Sequence, residues 1–575
     1  MSLNLPHNNL MSLADYSFKK FSSNILVTNV GETGITYQQA QEKVIQLQSM
    51  FKELGLKQGD KIAICSQNMP HWGIVYIAIT AMGAIAVPIL PDFHSNEIHH
   101  IIKHSEAKAV FVSEKLSSKL NEDDFSSSLS YVFSLETFDL IEDKTPPHSE
   151  FFIKGAHTIA QMKTKALQFI KEKKLLEISD VDTGLTINPH DIAVIIYTSG
   201  TTGQSKGVML SHYNLNAQLF QANTLANNIV ETDRFLSILP LAHTFECSVG
   251  FLVPFANGAS IHYIDKVPSP KIILAAMQKV KPTCMLSVPL VIEKIYKSKV
   301  LAQFHKNSAV KYLYENVSFV RRKLHKIAGK KLMESFGGEI KFFGIGGAKL
   351  SPFVEQFLME ANFPYAIGYG LTETAPVIAG AVPGRTKVGT TGIFVPDLEY
   401  RFIKKNESDL EGELHVRGPN VMAGYYKEPQ RTQEVLDADG WLNTGDLGHV
   451  DEMEVLTITG RSKNVIIGPS GENIYPEAIE AIINQHELVL DSMVYELEKK
   501  VVAKIHIDYA LFDERHNLNT STDFELHKDI LAMLESIKTE SNAQLSSFVK
   551  LHAVIEQTEP FIKTPTKKIK RYLHM

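Results

Sequence analysis

The residues best suited to chemistry fall in three short segments. "TSGTTGQSKG", residues 198 to 207, follows the apolar run "IAVIIY" and carries hydroxyls at Thr198, Ser199, Thr201 and Thr202, glycines at Gly200, Gly203 and Gly207, and the cation of Lys206. Closely approachable backbone N–H groups, hydroxyls and a lysine are the parts that cradle the oxygens of a phosphate chain. The order is not that of the common nucleotide P-loop, which needs Gly-Lys-Ser/Thr; here Ser205 precedes Lys206 and Gly207 follows it. "GYGLTET", residues 368 to 374, sets an aromatic, a hydroxyl and a carboxylate within five positions. Tyr369 suits stacking on a base, Thr372 a phosphate contact, and Glu373 a hard divalent cation held through oxygen. "WLNTGDLG", residues 441 to 448, reads as a turn whose Asp446 carboxylate could accept both hydroxyls of a ribose. An aspartate in such a setting more often only forms the turn.

These segments need elements to hold them. Short apolar runs recur between helical stretches: "DKIAICS", "AKAVFVS", "IAVIIYTSG", "RFLSILP", "ASIHYID", "PTCMLSVP" and "IKFFGIGG". Such alternation predicts α/β layers with buried sheets, and functional loops at the carboxyl ends of the strands. "GIVYIAITAMGAIAVPIL", residues 73 to 90, is uncharged and close to the roughly 18 to 20 residues that span a bilayer. It breaks at Gly83 and continues as a β-like run with Pro88, so it reads as a buried helix leading into a buried strand. "NEDDFSSSLS" reads as a surface loop. "YENVSFVRRKLHKIAGKKLMESFGG", residues 314 to 338, reads as one basic amphipathic helix. Its Arg321, Arg322, Lys323, Lys326, Lys330 and Lys331 either contact anionic lipid headgroups or form a solvated face, and one cationic cluster favours the latter.

At 575 residues the chain exceeds one ordinary core. With 44% hydrophobic and 21% charged residues it has the composition of a folded soluble protein. A net charge of -6 argues against a nucleic-acid binder, which concentrates positive charge to neutralise phosphates. Three cysteines, Cys65, Cys247 and Cys284, lack metal-ligand spacing and fit a reducing, cytoplasmic setting. The first residues contain no basic segment followed by an apolar core, so no signal peptide is expected. After Gly460 the pattern becomes that of a small α/β unit of ordinary domain size.

Taken in order, these segments resemble the adenylate-forming superfamily, and the match runs over nearly the whole chain. Within it the sequence looks most like a long-chain fatty acid-CoA ligase, a branch favoured by the tail "TKKIKR" and the helical segment near residue 320. The resemblance implies an α/β fold with a large N-terminal AMP- and acyl-binding domain of layered sheets over residues 1–459, a hinge at 460–464, and a small mobile α+β lid over 465–575. It implies ATP, Mg2+ and CoA as cofactor and co-substrates, and a fatty acid as partner. Thr198, Ser199, Gly200, Thr201, Thr202, Gly203 and Lys206 would hold the β- and γ-phosphates. Gly347 and Ala348 would lie beside adenine with Tyr369 stacked on it and Gly370 next to it. Thr372 would contact the α-phosphate, Glu373 would hold Mg2+, and Asp446 and Arg461 would bind the ribose. Lys568 corresponds to the adenylation lysine, selected over Lys567 by its spacing from Thr564 and to Arg571. Lys463 falls at the hinge, Gly471 beside the pantetheine channel, and His243 at the junction of acyl pocket and phosphates, in a positioning role. Leu290 stands where many relatives carry arginine.

The implied reaction activates a carboxylate, a poor electrophile, by attack on the α-phosphate and loss of pyrophosphate; a thiolate then takes the acyl group. Two other readings stay open: an acyl-adenylate ligase or a ligase whose acceptor is an acyl-carrier protein, and a non-catalytic scaffold that keeps the fold. Peripheral contact at the inner face of a membrane and a homodimer are compatible with all three.

Overall fold

The structure, a computed structural model, describes residues 9–121, 124–141, 178, 185–199, 205–226, 229–266, 268–304, 306–468, 473–516, 523–546, 549–564 and 568–575. The chain forms two compact units, the first from Met1–Glu399 and Val416–Leu442, the second from Tyr400–His415 and Asn443–Met575. Residues 460–464 lie inside the second unit, because the strands Leu442–Val450 and Leu456–Arg461 pair and belong with it.

The first unit is built on two sheets. In the seven-stranded sheet the order is Gly424–Tyr425, Ser205–Ser211, Ile192–Ser199, Ile85–Ile89, Lys61–Cys65, Ala109–Val112, Tyr131–Ser134. From Ile192–Ser199 onward its pairings are parallel. The nine-stranded sheet has a parallel centre formed by Tyr365–Gly370, Phe342–Ile345, Cys284–Ser287, Arg234–Ser237, Ser260–Tyr263 and Ile25–Asn29. Every apolar run singled out in the sequence is one of these strands, and three of them, Ala109–Val112, Cys284–Ser287 and Phe342–Ile345, are buried along their whole length, as a sheet covered on both faces requires.

Helix Pro70–Ala81 is buried on nearly every side and leads through Gly83 into strand Ile85–Ile89, so the uncharged stretch is core. Trp72 stacks on Tyr76 at 5.3 Å, and both meet Phe251 edge-on at 6.3 Å. Burying each such ring stabilises the fold by about 2–3 kcal/mol. Among the described residues no helix is long and apolar enough to cross a membrane. All three cysteines are buried and free, and burial pushes each thiol up to about 12, which keeps them protonated and unreactive.

The basic segment is not one helix. Helix Ser308–Asn316 ends, Val317 turns extended with φ -122° and ψ 97°, and a second helix runs over Ser318–Ser335. Asn307 caps the first by accepting the N–H groups of Ala309 and Val310. Nothing in the polar pattern "YENVSF" marks the break; a β-branched valine between two helix starts is its only trace.

The second unit contains a four-stranded sheet, Glu399–Ile403, Gly412–Arg417, Leu442–Val450 and Leu456–Arg461, and a three-stranded sheet, Val489–Leu497, Lys500–Ile507 and Ala553–Glu556. Helices Pro476–Ile483 and Asp523–Gln544 close a core around Ile479, Ile505 and Leu534.

Candidate active site

The two ends of the segment "TSGTTGQSKG" lie on paired strands, since Ser205–Ser211 runs antiparallel to Ile192–Ser199. Thr198 lies directly opposite Lys206, and Ser199 opposite Ser205. Lys206 therefore projects from a strand, whereas its neighbours in the sequence suggested a loop. Gly200, Thr201, Thr202 and Gly203 lie outside the described residues. Thr198 Oγ1 is buried and has no hydrogen-bond partner among the described residues. An orphaned hydroxyl costs about 1–3 kcal/mol until something accepts from it or donates to it.

Strand Tyr365–Gly370 ends beside this strand pair, and the 3-10 turn Thr372–Thr374 follows. Lys206 Nζ lies 2.9 Å from Glu373 Oε1 and 2.5 Å from the Tyr425 hydroxyl, which itself donates to Glu373 Oε1 at 2.8 Å. The ammonium also stands over the Tyr425 ring, 4.1 Å from its centroid. Burial alone would raise the Glu373 carboxyl, whose side chain is 14% exposed. The charge and hydrogen bond of Lys206, with the hydroxyl of Tyr425, outweigh that and hold it below the usual carboxylate range. Burial and Glu373 together push the Tyr425 phenol well up, so it stays a donor.

Tyr425 was not legible in the sequence. It lies 219 positions from Lys206 on the two-residue strand Gly424–Tyr425, and only the pairing of that strand with Ser205–Ser211 brings it in. The same segment clamps the turn: Met422 N–H donates to the Glu373 carbonyl at 2.9 Å, and Asn420 Nδ2 donates to the carbonyls of Thr374 and Val377, each at 2.9 Å.

Gly370 is required by space. A Cβ there would sit 1.8 Å from the Pro376 carbonyl oxygen, a backbone atom that cannot step aside. Gly370→Ala is expected to destabilise the first unit by about 1–3 kcal/mol through overpacking, read as a lower thermal midpoint. An unchanged midpoint would show that the turn is not held in this geometry.

Gly347 and Ala348 follow strand Phe342–Ile345 and are exposed, with Gly347 at φ +88°. Tyr369 is half-buried opposite Ala379. His243 follows strand Arg234–Ser237, and its Nδ1 accepts from Phe245 N–H at 3.2 Å. Asn68 fixes the loop before it, accepting from Leu241 N–H at 2.8 Å and donating to the Leu239 carbonyl at 2.6 Å. Burial pushes the neighbouring Glu246 carboxyl up to about 8 against a hydrogen bond from Ser237, so at neutral pH it is mostly protonated. Leu290 is the second residue of helix Pro289–Ile295 and is 44% exposed. Thus the carboxyl ends of parallel strands carry His243, Gly347, Tyr369 and Glu373, as the alternating pattern predicts.

The second unit carries the remaining residues. Asp446 is not in a turn: it lies within strand Leu442–Val450, buried, and pairs across the strands with Arg461. Arg461 Nε is 2.8 Å from Asp446 Oδ1, and its Nη1 donates to the Thr444 carbonyl at 3.1 Å. "NTGD" has turn composition, but pairing with Leu456–Arg461 overrides it. Lys463 is exposed in the 3-10 turn Ser462–Asn464. Its neighbours are tied down, Ser462 to Glu413 at 2.8 Å and Asn464 to Glu477 at 2.6 Å.

Lys568 is exposed near the chain end. Lys568 N–H donates to Thr564 Oγ1 at 3.1 Å, and Thr564 N–H donates to the Lys568 carbonyl at 2.8 Å. Arg571 then anchors the segment with a two-pronged contact to Glu480, 2.7 and 2.6 Å. Lys567 and Gly471 lie outside the described residues.

The fold is that of the adenylate-forming enzymes: the anthranilate CoA ligase AuaEII, solved in complex with anthranoyl-AMP, superposes with a TM-score of 0.73 at 18% identity, over 99% of this chain and 97% of that one. Residues 16–426 match the AMP-binding enzyme family, and the chain belongs to that family. It is 27% identical to fatty acyl-CoA synthetase A of Dictyostelium discoideum, over 93% of this chain and 83% of the relative. It is 28% identical to the peroxisomal long chain acyl-CoA synthetase 7 of Arabidopsis thaliana, over 94% of this chain and 80% of that relative.

Proposed function

We propose that the protein is an ATP-dependent fatty acid-CoA ligase acting on long chains, which forms an acyl-adenylate and then transfers the acyl group to CoA. The observation that carries this is the Lys206–Glu373–Tyr425 cluster beside the paired strands Ile192–Ser199 and Ser205–Ser211: a cation and an ionised carboxylate side by side, the pair of groups that a phosphate chain and its divalent ion would engage. The long-chain substrate class is supported by the activities that the relatives' names state.

The residues present fit nucleotide and metal. Thr198 Oγ1 is a buried hydroxyl waiting for a phosphate oxygen, and Glu373 is kept ionised. Glu373 would hold Mg2+, which when bound offsets charge on the phosphates. Before nucleotide binds, Lys206 keeps Glu373 from being an unpaired charge; once phosphates arrive, Lys206 turns to their oxygens and Tyr425 keeps its hydrogen bond to the carboxylate. Hydroxyls and backbone N–H groups between Thr198 and Lys206 grip the β- and γ-phosphates, the leaving end. Tyr369 stacks on adenine, with Gly347, Ala348 and Gly370 leaving it room. Asp446 takes the ribose hydroxyls, oriented by Arg461. Thr372 and Lys568 stabilise the α-phosphate while the fatty carboxylate attacks it in line. His243 orients the acyl carboxylate.

For the second step Lys463 is the hinge. Tied residues on either side of one exposed position concentrate a dihedral change there. Lys463→Pro, which fixes φ, is expected to spare pyrophosphate release from fatty acid and ATP and to lower thioester formation at least tenfold. An unaltered second step would refute the hinge assignment. Gly471 would, as the resemblance implies, leave room for the pantetheine arm.

Thioester formation with free CoA against a holo acyl-carrier protein tests the acceptor. Turnover with CoA is expected; product with the carrier alone would overturn that half of the reading. The buried, protonated thiols suit a cytoplasmic enzyme.

A further inference from the structure

Helix Ser318–Ser335 has one face explained by packing and one that packing leaves open. Inward, His325, Gly329 and Leu332 are buried. His325 Nδ1 lies 2.7 Å from Glu360 Oε2, Arg321 and Arg322 approach the same carboxylate at 3.5 and 3.7 Å, and a Cβ on Gly329 would come within 2.4 Å of that of Ala361. These contacts press the helix onto Pro352–Glu360 and fix its rotation. Outward, Phe319, Lys323, Ile327 and Lys331 follow at i, i+4 spacing, flanked by Lys326 and Lys330. Phe319 is 65% and Ile327 57% exposed, and Tyr312 on the preceding helix is 65% exposed.

We propose that this face docks the protein on an anionic phospholipid bilayer. Between Lys306 and Ser335 eight lysines and arginines stand against two glutamates, in a chain of net charge -6. The segment thus carries a local excess of positive charge, and four of its lysines, Lys323, Lys326, Lys330 and Lys331, are exposed on the outward face. Among the described residues Lys323, Lys326, Lys330 and Lys331 have no ion-pair partner, and the Lys323 ammonium instead lies 4.8 Å from the Phe319 ring centroid. A polyanion in solution would pair these lysines but leave the rings and Ile327 in water. A bilayer surface takes both: ammonium groups reach the lipid phosphates while their alkyl stems, Phe319, Tyr312 and Ile327 enter the boundary between headgroups and acyl chains. The surface stands independently of the ligase reading. Under that reading it puts the enzyme where a long-chain acid partitions.

The test is flotation of the full-length protein with vesicles of phosphatidylcholine alone or mixed with phosphatidylglycerol. Wild type is expected to float with the anionic vesicles only, less so as salt rises. The K323E/K326E/K330E variant is expected to need roughly tenfold more lipid or beyond. Phe319→Ser with Ile327→Ser keeps every charge and is still expected to bind the same vesicles more weakly, which simple counterion attraction would not produce. Circular dichroism establishes that both variants are folded. Absence of flotation, equal flotation with phosphatidylcholine alone, or a serine variant that binds like wild type would each overturn the proposal. So would loss of flotation combined with tight binding to a short oligonucleotide. None of these readouts requires turnover, so their failure would leave the ligase assignment untouched.

Discussion

Lys568→Ala is expected to lower adenylate formation by roughly 10²-fold or more, the usual cost of removing one preorganised electrostatic stabiliser. Thioester formation from supplied acyl-adenylate and CoA should remain largely intact, because no new charge on an α-phosphate has to be met in that step. The backbone around Lys568 is held by Thr564, and the segment by Arg571 on Glu480, so truncating the side chain leaves its mounting in place. The loss should therefore appear in the rate and not in unfolding of the second unit. Pyrophosphate release and thioester formation measured separately check this; equal loss of both would contradict the assigned role.

Glu373→Gln is the second large effect. The amide can still accept from Lys206, but the site loses its charge, and with it the hard oxygen ligand for a divalent ion. Adenylation is expected to fall roughly 10²-fold, with the metal concentration for half-maximal rate rising. Stability should drop by about 1.5–3 kcal/mol, the worth of a hydrogen bond to a charged group, because Lys206 is left without a counter-charge. In the wild type the Glu373 carboxyl lies below its usual range. A depressed folded value means its contribution is present above the ordinary carboxylate range and is lost as pH falls through the depressed one. The ion pair should persist through mildly acidic pH, and the glutamine variant should lose that acid limb of the stability profile. A variant with the metal dependence of the wild type would remove Glu373 from the metal site.

The buried strands were legible because apolar runs bounded by glycine and proline leave few alternatives. The stretch from Gly73 to Leu90 could be told from a membrane span by the break at Gly83 and the Pro88 strand. Glu373 and Lys206 could be named from residue type and order, and the structure brings them to 2.9 Å. What composition hides is long-range pairing. Tyr425 joins the cluster only through a two-residue strand. Asp446 sits in a segment of turn residues, yet the opposite strand makes it a paired position facing Arg461. Lys206 looks like a loop residue until strand Ser205–Ser211 is paired with its partner. The break at Val317 likewise depends on tertiary packing, which rotates the second helix so that His325 meets Glu360.

The central claim is tested most directly by pyrophosphate release from ATP and Mg2+ across carboxylic acids from acetate to long fatty acids, with and without CoA. The account predicts release that peaks with long acyl chains and continues over many turnovers only when CoA is present. No release with any acid would contradict it and leave a scaffold that keeps the fold; a single stoichiometric burst unaffected by CoA would contradict the acceptor.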